Sequence, residues 1–470
     1  MGDAFIHGIR TPLHSYIFDV NTNRLIRIDD PEVYHMIVEG RRDGPPEKTE
    51  QIRALEEQGF LSDRRPTKMR HPQTDALAYQ LDTNIEQVTI QLTQQCNFRC
   101  AYCTYAPKDF KSQREHTAKR LSWELAKQIV DFYVAHSANQ EKPTIGFYGG
   151  EPLLEYELLQ KIVLYAEAAF EGKDLQFTVT TNGSLLTPDK VDFFLAHNVN
   201  VMISLDGSPQ AHNRSRKFAA NGQGTFAAIE RNLRMIQQQV PAFLETLQVN
   251  VVVDARFGCA EVYRYFDQEP LFSAAQVQST LIDDGLSAEQ TVPSERFQAE
   301  QAGCYFRAML ALMGRYPAER ASKMARNAIQ TGLAKTDKNL RHSGVQPEMS
   351  HGGPCLPGQR RLFVNVDGAL FPCERVSETS PATKIGTIQR GFDYAQAERL
   401  LNVAALTEGA CNDCWGVQHC MQCVRNCDND GALSAAYKVS HCPGTLRAIE
   451  NEFRDYLLWK DLGAEEATPL

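Results

Sequence analysis

Eleven of the thirteen cysteines crowd into two short tracts, three between residues 96 and 103 and eight between 355 and 442, while Cys259 and Cys304 stand alone. Disulfides in such number persist in oxidising compartments, yet the N-terminus lacks the basic stretch and apolar core of a secretion signal. No apolar run approaches the roughly 18 residues of a membrane span. A cytoplasmic protein whose two cysteine tracts ligate metal is therefore expected, with no membrane partner. A formal charge of −9 argues against phosphate-backbone binding, so no nucleic-acid partner is expected either. At 470 residues, 43% of them hydrophobic, the chain is long enough for several domains around a large core.

In QLTQQCNFRCAYC the first tract places Cys96, Cys100 and Cys103 directly after a β-rich run. Three thiolates can hold three irons of a cubane and leave the fourth iron open to a ligand, whereas clusters that only carry electrons normally have all four filled. The competing reading is zinc, which usually takes CxxC pairs and closes with four ligands. Around this loop the chain alternates. QVTIQLT (87–93), TIGFYGG (144–150), LQFTVTTNG (175–183), VNVMISLDG (199–207), LQVNVVVD (247–254) and a weaker STLIDD (279–284) read as strands. Amphipathic stretches such as LSWELAKQIVDFYVAH and TPDKVDFFLAHN separate them, the latter with Thr187 as cap and Pro188 in the first turn. This pattern predicts a parallel sheet with helices outside, either doubly wound or a full or partial barrel, with ligands at the carboxyl ends of the strands.

The cysteine loop, with Tyr102 before its third cysteine, resembles the signature of the radical S-adenosylmethionine (SAM) superfamily. Three further motifs at successive strand ends carry the same resemblance: FYGGEP (147–152), TTNG (180–183) and SLDG (204–207). The resemblance implies a partial (β/α)6 barrel in which Cys96, Cys100 and Cys103 hold a [4Fe–4S] cluster whose open iron chelates SAM. Gly149, Gly150 and Glu151 would meet the methionine amino group, and Thr181 or Asn182 would line the cleft. Ser204 and Asp206 would reach the ribose and methionine portions, and Arg216 the carboxylate. Reductive cleavage of SAM, with a flavodoxin- or ferredoxin-type electron donor, would give a 5′-deoxyadenosyl radical that takes hydrogen from the substrate.

The second tract reads Cys355, Gly368, Cys373, then Cys411-x2-Cys414-x5-Cys420-x2-Cys423-x3-Cys427-x14-Cys442. Eight cysteines suffice for two filled cubanes or for two zinc ribbons. The order is similar to the SPASM extension of peptide-modifying radical SAM enzymes, which implies two auxiliary [4Fe–4S] clusters. Carried over, Cys411, Cys414, Cys420 and Cys442 would hold the outer cluster, and Cys355 and Cys373 the inner one. The family's C-x5-C-x3-C is here split by an extra cysteine. Either Cys423 and Cys427 both complete the inner cluster, or one is free. Glu374 occupies the position where related enzymes carry a proton-accepting acid; a salt bridge with Arg375 is the structural alternative.

Residues 5–62 resemble the winged-helix-like module of three strands and three helices that captures a leader peptide, with SYIFDV (15–20) and RLIRI (24–28) as strands. An inert cap is the other reading. The polar stretch DRRPTKMRHPQTD reads as a linker. The expected domains are 1–75 for this module, 85–290 for the radical SAM core, 291–350 for a helical bridge, 351–450 for the cysteine-rich extension and 451–470 for a C-terminal helix and tail. The resemblance is closest to thioether-forming maturases of ribosomal peptides (the ranthipeptide or SCIFF type), which implies crosslinks from Cys sulfur to a carbon of a precursor peptide carrying a leader. Oxidation of Cys or Ser to formylglycine, as in anaerobic sulfatase maturases, and carbon–carbon crosslinking are the alternatives within enzymes; an electron carrier is the alternative outside them.

Overall fold

The computed structural model describes residues 3–105, 114–283 and 291–463. Asp284 of STLIDD, residues 285–290 that close the expected core and residues 464–470 of the expected tail lie outside the described residues. No helix among the described residues is long and apolar enough to cross a membrane.

Six strands lie parallel and in chain order: Gln87–Thr93, Thr144–Gly149, Gln176–Thr181, Val199–Ser204, Gln248–Val253 and Gln276–Leu281. Helices cross between them, and the first strand is buried on both faces, Val88, Ile90 and Leu92 alternating with the buried polar residues Thr89, Gln91 and Thr93. Ser122 starts the first crossover helix, Trp123–His136, by accepting the Leu125 N–H, and Ala126, Ile129, Val130 and Tyr133 form its buried stripe. Thr187 holds the cap position of Pro188–Ala196, but its side chain makes no capping hydrogen bond there. The sixth strand starts at Gln276, three residues earlier than the sequence pattern indicates, and is mostly exposed.

The cysteine-rich extension is not a separate layer. Its first strand, Leu362–Val364, pairs in parallel with Gln87–Thr93 and carries the sheet onward through antiparallel partners to ten strands. A backbone hydrogen-bond ladder therefore places the second cysteine tract beside the strand that leads into the first.

The N-terminal residues form a three-stranded antiparallel sheet, Ile6–Arg10, Ser15–Asp19 and Arg24–Ile28, with the middle strand in the centre. The first strand is one that the sequence pattern did not announce. Two helices, Pro31–Val38 and Pro46–Glu57, follow within residues 5–62, where the winged-helix resemblance implies three. Both faces of the central strand are covered. Ile17 packs with Val33, Ile37 and Ile52 of the helices. Phe18, on the other face, packs with Val417 and with Phe453 of the last helix, Cys442–Asp461. His7 stacks on Trp415 at 3.7 Å, and His419 Nε2 lies 2.8 Å from Asn23 Oδ1. This module is thus seated on the outer part of the second cysteine tract. The expected linker at 63–75 is likewise pinned: Lys68–Met69 pairs with Glu348–Met349, and Met69 is buried. A two-residue pairing across 280 positions leaves no local pattern to read.

Phe453→Ala should cost about 3–5 kcal/mol, because its ring is buried among Phe18, His419 and Trp415. Limited proteolysis should then release an N-terminal fragment faster than from the parent; equal release rates would show that Phe453 does not hold the module.

Candidate functional site

The first cysteine loop leaves the sheet at Thr93 and turns back through Ala101, whose N–H donates to Ser215 O. The next strand end packs against it without side chains between. A Cβ on Gly149 would lie 2.3 Å from Thr93 O, and one on Gly150 would lie 2.0 Å from Gln95 O. Gly149 also holds φ +141. The glycine pair was expected to admit a ligand to the backbone; what it admits here is the backbone of the cysteine loop itself. Gly150 N–H donates to Thr93 O and Glu151 N–H to Gln95 O, each at 2.8 Å.

Glu151 is 1% exposed and accepts from Thr181 Oγ1 at 2.6 Å, Asn182 N at 2.8 Å and Leu153 N at 3.0 Å. Burial raises its pKa, and these donors oppose the rise. A carboxylate has about four acceptor positions, so Glu151 retains capacity for one more donor. Asn182 bridges onward, its Nδ2 donating to Asn97 Oδ1 at 2.8 Å inside the cysteine loop. Ser204 is half-buried at the end of its strand.

Arg216 is 6% exposed and grips Asp206 bidentately at 2.8 and 3.0 Å. Asp206 also accepts from Val252 N at 3.0 Å and from the Tyr102 hydroxyl. Its roughly four acceptor positions are thereby filled. Asp206 therefore secures Tyr102 and the loop. Burial alone would raise its pKa, but Arg216 and these donors hold it below the ordinary carboxylate value.

The thiols show what charge the loop calls for. Burial raises Cys96 and Cys103, and it pushes Cys100 up to about 12 even with Arg216 favouring the thiolate. Three buried thiolates side by side need a cationic centre. A cubane that bonds each of them to a separate iron fits this donor set.

In the second tract Cys373 and Cys423 influence each other and Cys355, whereas Cys414 and Cys420 lie with Cys411, and Cys442 with Cys414. Cys427, fully buried, neighbours Cys423 on one side and Cys411 and Cys420 on the other. Glu374 bonds Arg361 at 2.6 Å through Oε1, a different arginine from the adjacent Arg375, while its buried Oε2 has no hydrogen-bond partner among the described residues.

A buried polar cluster that no sequence motif announces lies between the two tracts. Arg114, 2% exposed, lies 4.6 Å above the Phe363 ring near Tyr105 and Tyr148 and donates to the Glu374 and Val376 carbonyls. Glu378 accepts from Gln91 at 3.0 Å and Gln94 at 3.3 Å, and burial raises its pKa. None of these residues stands in a spaced motif; the sheet extension from Leu362 brings them together.

Comparison with known proteins agrees with this geometry. The family model of the radical SAM superfamily matches residues 90–253. A radical SAM cyclopropyl synthase of Paramaledivibacter caminithermalis is 23% identical over 163 residues, covering 33% of each chain. A serine-type anaerobic sulfatase-maturating enzyme of Bacteroides thetaiotaomicron is 27% identical over 146 residues, 30% of this chain and 34% of that one. The matches to these two relatives thus span about a third of their length. The structure of native anSMEcpe with bound AdoMet superposes with a TM-score of 0.58 at 19% identity, over 79% of this chain and 96% of that one.

His212 offers a solution test of the loop's anchor. Burial, with Arg216 adding to it, lowers its pKa from 6.5 to about 3. The unfolded chain binds this proton below 6.5 and the folded chain refuses it, so stability is full above pH 6.5 and falls toward pH 3. His212→Gln should flatten the fall of the urea midpoint across that window; an unchanged slope would contradict the assignment. The match to the radical SAM family model, over residues 90–253, thus takes in both the cysteine loop and the strand-end motifs that fasten it.

Proposed function

We propose that this protein is a radical SAM enzyme that forms thioether crosslinks in a ribosomally made precursor peptide. The observation that carries the reading is the cysteine loop fastened to the strand ends beside the buried polar cluster of Arg114 and Glu374. When bound, a cluster on Cys96, Cys100 and Cys103 with SAM supplies a hydrogen-abstracting radical, and two clusters on the second tract supply an electron acceptor. The chain's residues do the rest. Glu151, Thr181, Asn182 and Ser204 line the SAM cleft. Asp206, Arg216 and Tyr102 fix the loop's position. Glu374 Oε2, buried and without a partner among the described residues, takes the proton from the peptide's thiol. Of the second tract, Cys411, Cys414, Cys420 and Cys442 form the outer set and Cys355, Cys373 and Cys423 the inner one, the arrangement that their neighbours favour, and Cys427, which neighbours both sets, completes the inner one.

The peptide substrate is supported by the N-terminal sheet. Arg24–Ile28 is one of its two edge strands, paired on one side only among the described residues. An extended leader can add to such an edge, and edges without a use are ordinarily protected. Tethering the leader raises the effective concentration of the core peptide, to about the millimolar range for a short tether. The sulfatase-maturase reading has its own support in relatives that carry that name and in the fold shared with anSMEcpe.

Product mass separates the two. Each thioether removes two hydrogens and one titratable thiol while retaining sulfur, whereas formylglycine formed from Cys loses the sulfur. The precursor should lose hydrogens and thiols only, and a leaderless peptide should turn over far more slowly at equal concentration. Loss of sulfur would overturn the crosslinking reading, and equal turnover of both peptides the leader reading.

A further inference from the structure

A lysine in an apolar interior costs several kcal/mol unless negative charge meets it. Lys438 is 1% exposed, on the short helix Ala435–Ser440. Its Nζ donates to Thr407 Oγ1 at 2.8 Å and to Cys411 Sγ at 3.5 Å, neither a carboxylate. Its field reaches the thiols of Cys414, Cys420 and Cys427 as well. The helix carries the lysine carbonyl to 3.9 Å from Cys442 Sγ. Lys438 thus touches Cys411 of the set assigned above to the outer cluster, and of the inner set its field reaches Cys427.

Two further donors aim at the same sulfurs. Thr407 Oγ1 lies 3.3 Å from Cys411 Sγ, and the buried Gln422 Nε2 lies 3.6 Å from Cys442 Sγ. The inner set is surrounded differently: Glu374 neighbours Cys373, and Arg425 and Arg375 neighbour Cys423.

We propose that Lys438 is the buried counter-charge of the outer auxiliary cluster and holds that cluster's reduction potential above that of the inner one. A four-thiolate cubane is anionic and gains a further negative charge on reduction. A buried cation and sulfur-directed donors stabilise the reduced form more than the oxidised form, which raises the potential. Lys438 is a positioning and tuning residue, since it acts through the sulfurs.

The inference rests on the two-cluster reading of the second tract, and one experiment separates their failures. Full-length protein carrying Cys96→Ala, Cys100→Ala and Cys103→Ala, reconstituted anaerobically, is titrated by EPR at controlled potentials so that only auxiliary clusters contribute. With Lys438→Met added, one of the two signals should move to lower potential while the other stays. Lys438→Arg should restore most of the shift. Thr407→Val, which removes a hydroxyl shared by Lys438 and Cys411, should give a smaller shift of the same sign. If Lys438→Met sheds outer-cluster iron while Lys438→Arg keeps it, the counter-charge role is supported. If both shed it, the Thr407→Val potential decides, a shift supporting the role and no shift ending it. Unchanged potentials with both clusters present would overturn the inference alone. A parent holding about four irons in this background would instead overturn the two-cluster reading.

Discussion

The buried pairing of Arg216 with Asp206 is the contact on which the site depends. Two hydrogen bonds join them across nine intervening residues, and the carboxylate's remaining positions take Tyr102 and the Val252 amide. One carboxylate thereby ties the cysteine loop, the segment after the fourth strand and the fifth strand of the sheet into a unit. Removing either partner would strand a charge in the interior at a cost of about 3–5 kcal/mol. The glycine contacts at 149 and 150 complete the clamp from the other side, since any side chain there would collide with Thr93 or Gln95 backbone. A loop that must present three thiols at fixed separations needs such rigidity before any cofactor arrives.

A second constraint acts at longer range. The parallel pairing of Leu362–Val364 with Gln87–Thr93 makes the two cysteine tracts neighbours, and the polar cluster around Arg114 is a consequence of it. The N-terminal sheet is then held on the outer tract through Phe18, Trp415 and Phe453. One of its two edge strands, Arg24–Ile28, stays available on a surface whose other side is fixed to the cysteine-rich unit. Substrate recognition, radical chemistry and electron acceptance can in this way share one rigid frame.

Much of this was legible because its physics is local. Alternating strand and helix periods, the glycine after a strand and the cysteine spacing all depend on residues within a few positions of one another. What escaped depends on partners far away in sequence. Nothing near Asp206 reveals that its acceptors are already filled, and the pairing of Met69 with Met349 leaves no pattern in a polar stretch. Lys438 looks like any solvated lysine until Cys411 and Thr407 are placed around it. Arg114 gave no signal, since the Glu374 and Val376 carbonyls that it bonds lie 260 and 262 positions away.

The central claim is that Cys96, Cys100 and Cys103, and no other cysteines, support reductive cleavage of SAM. The direct measurement is 5′-deoxyadenosine released by anaerobically reduced protein, comparing the parent with a Cys96→Ala, Cys100→Ala, Cys103→Ala variant whose iron is assayed alongside. The account predicts nucleoside from the parent alone, with about two thirds of the iron kept in the variant because two of three clusters remain. Nucleoside production by the variant at the parent's rate would contradict it.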